Sequence, residues 1–191
     1  VELDTIDSKI RMLQELERDY EGFSKAVRLV MQDAATGKLC GVHGPLSKLI
    51  HVEDQYTTAI ETALGAAMQN IVVSSEEDGK AAIQMLKRRD GGRATFLPLT
   101  TIRAQYLQDT ACQRQPGFIS VASGLVQCEP QYRAVIENAL GRTVICDTLD
   151  HAVSMARACG NRVRIVTLDG QVMNAGGSMT GGSSAKSAGV L

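Results

Sequence analysis

The chain contains part of itself twice. With an offset of 76 and no gaps, residues 49–65 match residues 125–141 at nine of seventeen positions. The identical pairs are Leu49/Leu125, Glu53/Glu129, Gln55/Gln131, Tyr56/Tyr132, Ile60/Ile136, Glu61/Glu137, Ala63/Ala139, Leu64/Leu140 and Gly65/Gly141. A repeat at fixed spacing constrains the fold more than any local motif, because each copy is one supersecondary unit with the same apolar face to bury.

Likeness of residue type carries the repeat further. Asn70-Ile71-Val72-Val73 answers Thr143-Val144-Ile145-Cys146, and Phe96-Leu97-Pro98-Leu99 answers Ile165-Val166-Thr167-Leu168. Each half reads helix, strand, helix, strand, so the fold class is α+β with two pseudo-repeated helix/strand subdomains. In the first half Tyr56, Ala59, Ile60, Ala63 and Leu64 form an apolar helical stripe that Gly65 ends. Ser74 or Ser75 then caps a helix with Glu76, Glu77 and Asp78 in its first turn and Lys87, Arg88 and Arg89 in its last, which complements the helix dipole. The second half has Asp147 or Thr148 as the cap and Gly160-Asn161 as the stop.

Outside the repeats the chain changes character. Leu3, Ile6, Ile10, Leu13 and Tyr20 are spaced by threes and fours, a short heptad seam over residues 1–20 that Glu17 interrupts. A lone helix of that length is marginal in water and gains stability only against a second one. The expected divisions are a coiled-coil stub over 1–20, a first subdomain over 21–100, a linker over 101–117, a second subdomain over 118–182 and a small, polar exit over 183–191. A helix over 24–35 leads in from the stub, and Cys40-Gly41-Val42-His43-Gly44-Pro45-Leu46 is expected to turn sharply. The whole reads as a globular domain excised from the place where a coiled coil turns back on itself.

Composition narrows the function classes. Apolar residues make up 44% and aromatics 4% with no Trp, so the core is built from Ile, Leu, Val, Ala and Met and no large aromatic binding platform is expected. Twenty basic and 21 acidic residues leave a formal charge of −1, so any attraction to nucleic acid has to come from local clustering. Lys87, Arg88, Arg89 and Arg93 are the densest such cluster, with Lys25 and Arg28 as a second place. The five cysteines form no CxxC pair, which fits a reducing cytosol, and Cys128, Cys146 and Cys159 read as small buried hydrophobes. Cys40 and His43 have a CxxH spacing without a second ligand pair, so no metal is expected. No nucleophile–base arrangement is recognisable from spacing.

The run Asn174-Ala175-Gly176-Gly177-Ser178-Met179-Thr180-Gly181-Gly182 is the most distinctive local segment. It lacks the Gly-Lys-Ser/Thr ending of a phosphate loop. Residues without large side chains let another backbone come close and let a strand edge add to a neighbouring sheet, which is the favoured reading. The alternative is a nucleotide- or phosphometabolite-binding enzyme using 174–182 as its loop.

Taken together, these residues resemble the hinge domains of bacterial SMC (structural maintenance of chromosomes) proteins. The resemblance covers about residues 37–184 and rests on five blocks in order. They are Gly41-Val42-His43-Gly44-Pro45-Leu46 with Leu49-Ile50-His51-Val52, Ala63-Leu64-Gly65 with Gln69-Asn70-Ile71-Val72-Val73, Gly92-Arg93-Ala94-Thr95-Phe96-Leu97-Pro98-Leu99, Val135 to Val144, and Arg164 to Gly170 leading into the glycine run. Ala175 stands where the family usually has Pro. The resemblance implies an SMC-hinge-like fold and a non-catalytic homodimer, with Gly176, Gly177, Ser178, Met179, Thr180, Gly181 and Gly182 at the dimer interface. It also implies DNA contact at the basic cluster, a cytoplasmic and nucleoid-associated location, and no membrane. ATP and Mg would belong to head domains of the parent protein, and kleisin and accessory subunits would bind that parent elsewhere.

Overall fold

A computed structural model describes residues 2–183. In chain order the regular elements begin with α1 (Glu2–Asp19), α2 (Lys25–Ala35), β1 (Val42–Pro45), β2 (Ile50–Val52), α3 (Thr57–Leu64), β3 (Ile71–Val73), α4 (Glu76–Arg88) and β4 (Phe96–Pro98). There follow β5 (Phe118–Val121), β6 (Val126–Cys128), α5 (Arg133–Leu140), β7 (Thr143–Cys146), α6 (Leu149–Ala158), β8 (Arg164–Thr167), β9 (Val172–Met173) and β10 (Met179–Thr180). Short 3-10 turns join several of them. Those at Leu46–Lys48 and Asp54–Tyr56 recur as Ala122–Leu125 and Pro130–Tyr132.

The duplication extends to hydrogen-bond register. β1, β2 and α3 begin 76 residues before β5, β6 and α5. Val42, Gly44 and Pro45 pair with Val73, Val72 and Ile71 around a bulge, and Phe118, Ser120 and Val121 pair with Cys146, Ile145 and Val144 around the same bulge. The parallel pairs match too, Ile71–Phe96 to Val73–Pro98 in one copy and Val144–Ile165 to Cys146–Thr167 in the other. Both Gly and Pro occur in β1, where the sequence suggested only a turn. Pro is tolerated there because β1 is an edge strand, and the sharp change of direction falls at Gly41, with φ +69°.

The compact units differ from the sequence halves. One is formed by residues up to Leu46 with Gln69–Thr101, the other by Ser47–Met68 with the chain from Ile102 on. Residues 47–68, part of the expected first subdomain, therefore pack with the second copy. The reason is pairing between equivalents: β2 lies antiparallel to β6 with His51 opposite Gln127, the residue 76 positions later. The two equivalent strands are thus related by a local two-fold within that unit.

In the first unit the sheet runs β1-β3-β4. Helices α2 and α4, with Phe23 just before α2, supply its core, where the aliphatic Val27, Val30, Met85 and Leu86 are buried against Ile71 and Val73. Each such aliphatic side chain contributes on the order of 1.5–3 kcal/mol. Ser24 and Ser75 cap these helices, accepting from the N–H groups of Val27 and Asp78. Helix α1 buries no residue; Leu3, Ile6 and Ile10 are 76%, 53% and 47% exposed while Leu13 is half-buried, so its heptad face is open toward the N-terminus.

In the second unit the sheet runs β10-β9-β8-β7-β5. The buried residues of β7 and β8 pack on α6, whose N-cap is Thr148 and whose chain reversal uses Gly160 and Asn161 at φ +60° and +56°. The linker departs from a plain spacer. Residues 102–110 carry no regular structure, but the Asn138 amide donates to the Arg103 carbonyl, Tyr106 donates to the Glu137 carboxylate at 2.8 Å, and Arg162 pairs with Asp109 at 2.9 Å. One cysteine reading needs correction: Cys159 is buried, but it is bonded to Cys112, with Cα atoms 6.1 Å apart. The small apolar pocket expected around it is large enough for a second sulfur.

Candidate functional site

The glycine-rich segment forms the outer hairpin of the five-stranded sheet. Asn174 and Ser178 close the turn, with the Asn174 N–H donating to the Ser178 carbonyl at 2.8 Å. Gly176 and Gly177 sit inside it at φ +95° and +101°, a region that disfavours any side chain. The chain then returns as β10, Met179 opposite Met173 and Thr180 opposite Val172. The Asn174 amide donates to the Thr180 hydroxyl at 3.1 Å. Past the strand, the Gln171 side chain substitutes for backbone, accepting from the Gly182 N–H at 2.8 Å and donating to the Gly182 carbonyl at 3.0 Å. A Cβ on Gly181 would run into that same carboxamide.

All seven residues from Gly176 to Gly182 are thus gathered on one edge, and each is exposed. One side of β10 is paired with β9. Its other side has no neighbouring strand among the described residues, and Met179 is 58% exposed. Nothing lies within 4 Å of a Cβ placed on Gly176 or Gly182. An open strand edge with little side-chain bulk is a template for main-chain pairing.

The same geometry bears on phosphate binding. A phosphate cradle needs several free N–H groups converging on one point. Here the Gly176 N–H is given to the Asn161 carbonyl at 2.7 Å, that of Gly177 to Asn174 at 3.0 Å and that of Gly182 to Gln171. Of the two residues that hold the hairpin, sequence reading named Asn161 only as a helix stop and did not single out Gln171. Their roles depend on tertiary neighbours and leave no local signal.

The basic cluster divides. Lys87 and Arg88 occupy the last turn of α4, and Arg93 the loop beyond, all exposed. Arg89 is the C-cap of α4 and donates to the Asp33 carboxylate at 3.1 Å, where Asp33 is only 6% exposed. Arg89 is therefore committed to holding α2 to α4. Lys25 and Arg28 are exposed on α2, but the groove beside Arg28 also contains Glu17 and Glu21, which offset its charge. Cys40 is exposed, and the His43 ring lies 2.8 Å from the Ser74 hydroxyl. Among the described residues no group of three His, Cys, Asp or Glu side chains is placed to hold a metal ion, and no helix is long and apolar enough to cross a membrane.

Against known families, residues 39–156 match the SMC proteins Flexible Hinge Domain. This chain belongs to the SMC hinge family. The Bacillus subtilis chromosome partition protein Smc is 45% identical to it over 179 residues, and that of Lactiplantibacillus plantarum 41% identical over the same length. Each alignment takes in 92% of this hinge but 15% of the relative, so the chain corresponds to a small part of those proteins. Among solved structures, the Geobacillus stearothermophilus SMC hinge domain, crystallised as an asymmetric dimer, superposes with a TM-score of 0.83 at 43% identity. That match covers 96% of this hinge and 75% of the other chain. The Pyrococcus furiosus SMC hinge domain gives 0.69 at 30% identity, covering 92% and 89%.

Proposed function

We propose that this hinge is a homodimerisation module that joins two SMC coiled-coil arms in chromosome partition, with its glycine-rich hairpin as the contact. The observation that carries the reading is the open outer edge of β10. Support comes from a second open edge: β4 ends the first unit's sheet where, in the second unit, β9 continues beyond the equivalent β8. A hairpin edge from one copy offered to the β4 side of another satisfies both, and a two-fold pair makes that contact twice. The asymmetric dimer formed by the Geobacillus hinge agrees with association through this family's fold. The exposed Leu3, Ile6 and Ile10 of α1 fit a helix that packs on a second helix of a coiled-coil arm. The reading includes no reaction in this stretch of chain, and ATP and Mg chemistry is assigned to other parts of the parent.

Met179→Glu tests the interface, because Met179 is exposed, has no special backbone demand and lies on β10. A folded monomer with an unchanged circular dichroism spectrum is expected. A variant that sediments as wild type removes β10 from the interface.

The second element of the proposal is weak, sequence-independent DNA contact through Lys87, Arg88 and Arg93. Their charges are exposed, whereas Arg89 is engaged. Reversing the three to Glu is expected to weaken binding and flatten its dependence on salt, the log–log slope falling by about one for each phosphate that is no longer neutralised. Equal affinity and an equal salt slope would move DNA to another surface.

A further inference from the structure

Cys112 and Cys159 stand apart from the other three cysteines. Cys40 is exposed, Cys128 is half-buried, and Cys146 is buried with its thiol pushed up to about 11 by desolvation, which leaves it protonated and inert at neutral pH. Cys112 lies on the 3-10 turn Ala111–Arg114 at the end of the linker, Cys159 is the C-cap of α6, and both are fully buried and bonded to each other.

We propose that Cys112 and Cys159 form a reversible thiol–disulfide switch that staples the linker to the second unit under oxidising conditions and releases it under reducing ones.

Three observations carry this. The surroundings are apolar: Leu107, Ala111, Met155 and Val163 pack around the pair, an environment in which a reduced cysteine sits as a small hydrophobe. The position is also a fastening point in both copies. Helix α4 ends on its C-cap Arg89, and Arg89 is tied to Asp33 on α2, the helix before edge strand β1. Helix α6 ends on its C-cap Cys159, and Cys159 is tied to Cys112 on the turn before edge strand β5. One copy uses an ion pair where the other uses sulfur. Finally, the linker is held to its unit by side-chain contacts and not by sheet pairing. Residues 102–110 have no regular structure, so local release exposes Cys112 without disturbing the sheet.

Closure proceeds by exchange with a low-molecular-weight disulfide. The Cys112 thiolate attacks one sulfur of the oxidant, whose own S–S bond breaks and whose departing thiolate takes up a proton. The Cys159 thiolate then attacks the Cys112 sulfur of the mixed disulfide and expels the second small thiol. Two protein thiols are oxidised and one small disulfide is reduced to two thiols. The new bond spans 47 residues, a loop that contains β5, β6, α5, β7 and α6.

Peptide mapping of the folded protein tests the switch. After oxidised glutathione, N-ethylmaleimide quenching and tryptic digestion without reductant, the Cys112 and Cys159 peptides are expected as one cross-linked species. After dithiothreitol they are expected separately, each carrying the maleimide. The reduced form should melt on the order of 10 °C lower, and Cys112→Ala/Cys159→Ala should melt identically in both buffers. The inference is overturned if the cross-linked species never forms, if dithiothreitol does not open it without denaturant, or if wild type melts alike in both states.

Discussion

Gly65 and Gly141 occupy equivalent places in the repeat, and both end a helix, yet they are glycine for different reasons. Gly65 has φ +53° with open space where a Cβ would stand. Gly141 has an ordinary helical φ of −69°, and the Gln105 carbonyl of the linker fills the space of its missing side chain. The obstruction is backbone and has little room to move. Gly141→Ala is therefore expected to lower stability by about 1–3 kcal/mol, read as a shift of the urea midpoint, and an unchanged midpoint would mean that the linker does not lie against α5. Ser24 was legible as a cap, and Ser75 and Thr148 each as one of two adjacent candidates, because the partner N–H is three residues away. Arg164 was not. Its guanidinium reaches across 101 positions to the Ala63 carbonyl at 2.7 Å, and desolvation there lowers its pKa.

Helices were readable where strands were less so. Over eight to thirteen residues α3, α4, α5 and α6 show an apolar stripe, whereas β1 and β2 have four and three residues, and Gly and Pro in β1 hide its alternation. Only partner strands decide such cases. The start of α6 shows what local sequence does specify. Asp147 accepts from the Thr148 N–H at 2.6 Å and lies 2.7 Å from His151 Nδ1. The hydrogen bond with His151, followed by that from Thr148, holds its carboxyl below the ordinary 3.8. A depressed carboxyl stabilises the fold fully above its unfolded value, and that contribution is lost as pH falls through the folded value. Melting temperatures are thus expected to fall less steeply between about pH 5 and pH 3 in Asp147→Asn than in wild type. Parallel slopes would remove this contact from the acid response.

The boundary of the repeat is not the boundary of the compact units. Ser47–Met68 belongs with the second copy, and β2 meets β6 about the equivalent residues His51 and Gln127. Two like segments recognising each other within one chain is also the logic proposed between chains, where open sheet edges at β4 and β10 await a partner. The sequence pointed to the glycine run as a place of close approach, but its hairpin form depends on Asn161 and Gln171, which only the fold brings near. Sedimentation equilibrium of the wild-type hinge over a range of micromolar concentrations bears most directly on the central claim. A mass twice the chain's 20.5 kDa is expected, and a mass that stays at 20.5 kDa across that range would contradict the dimerisation module outright.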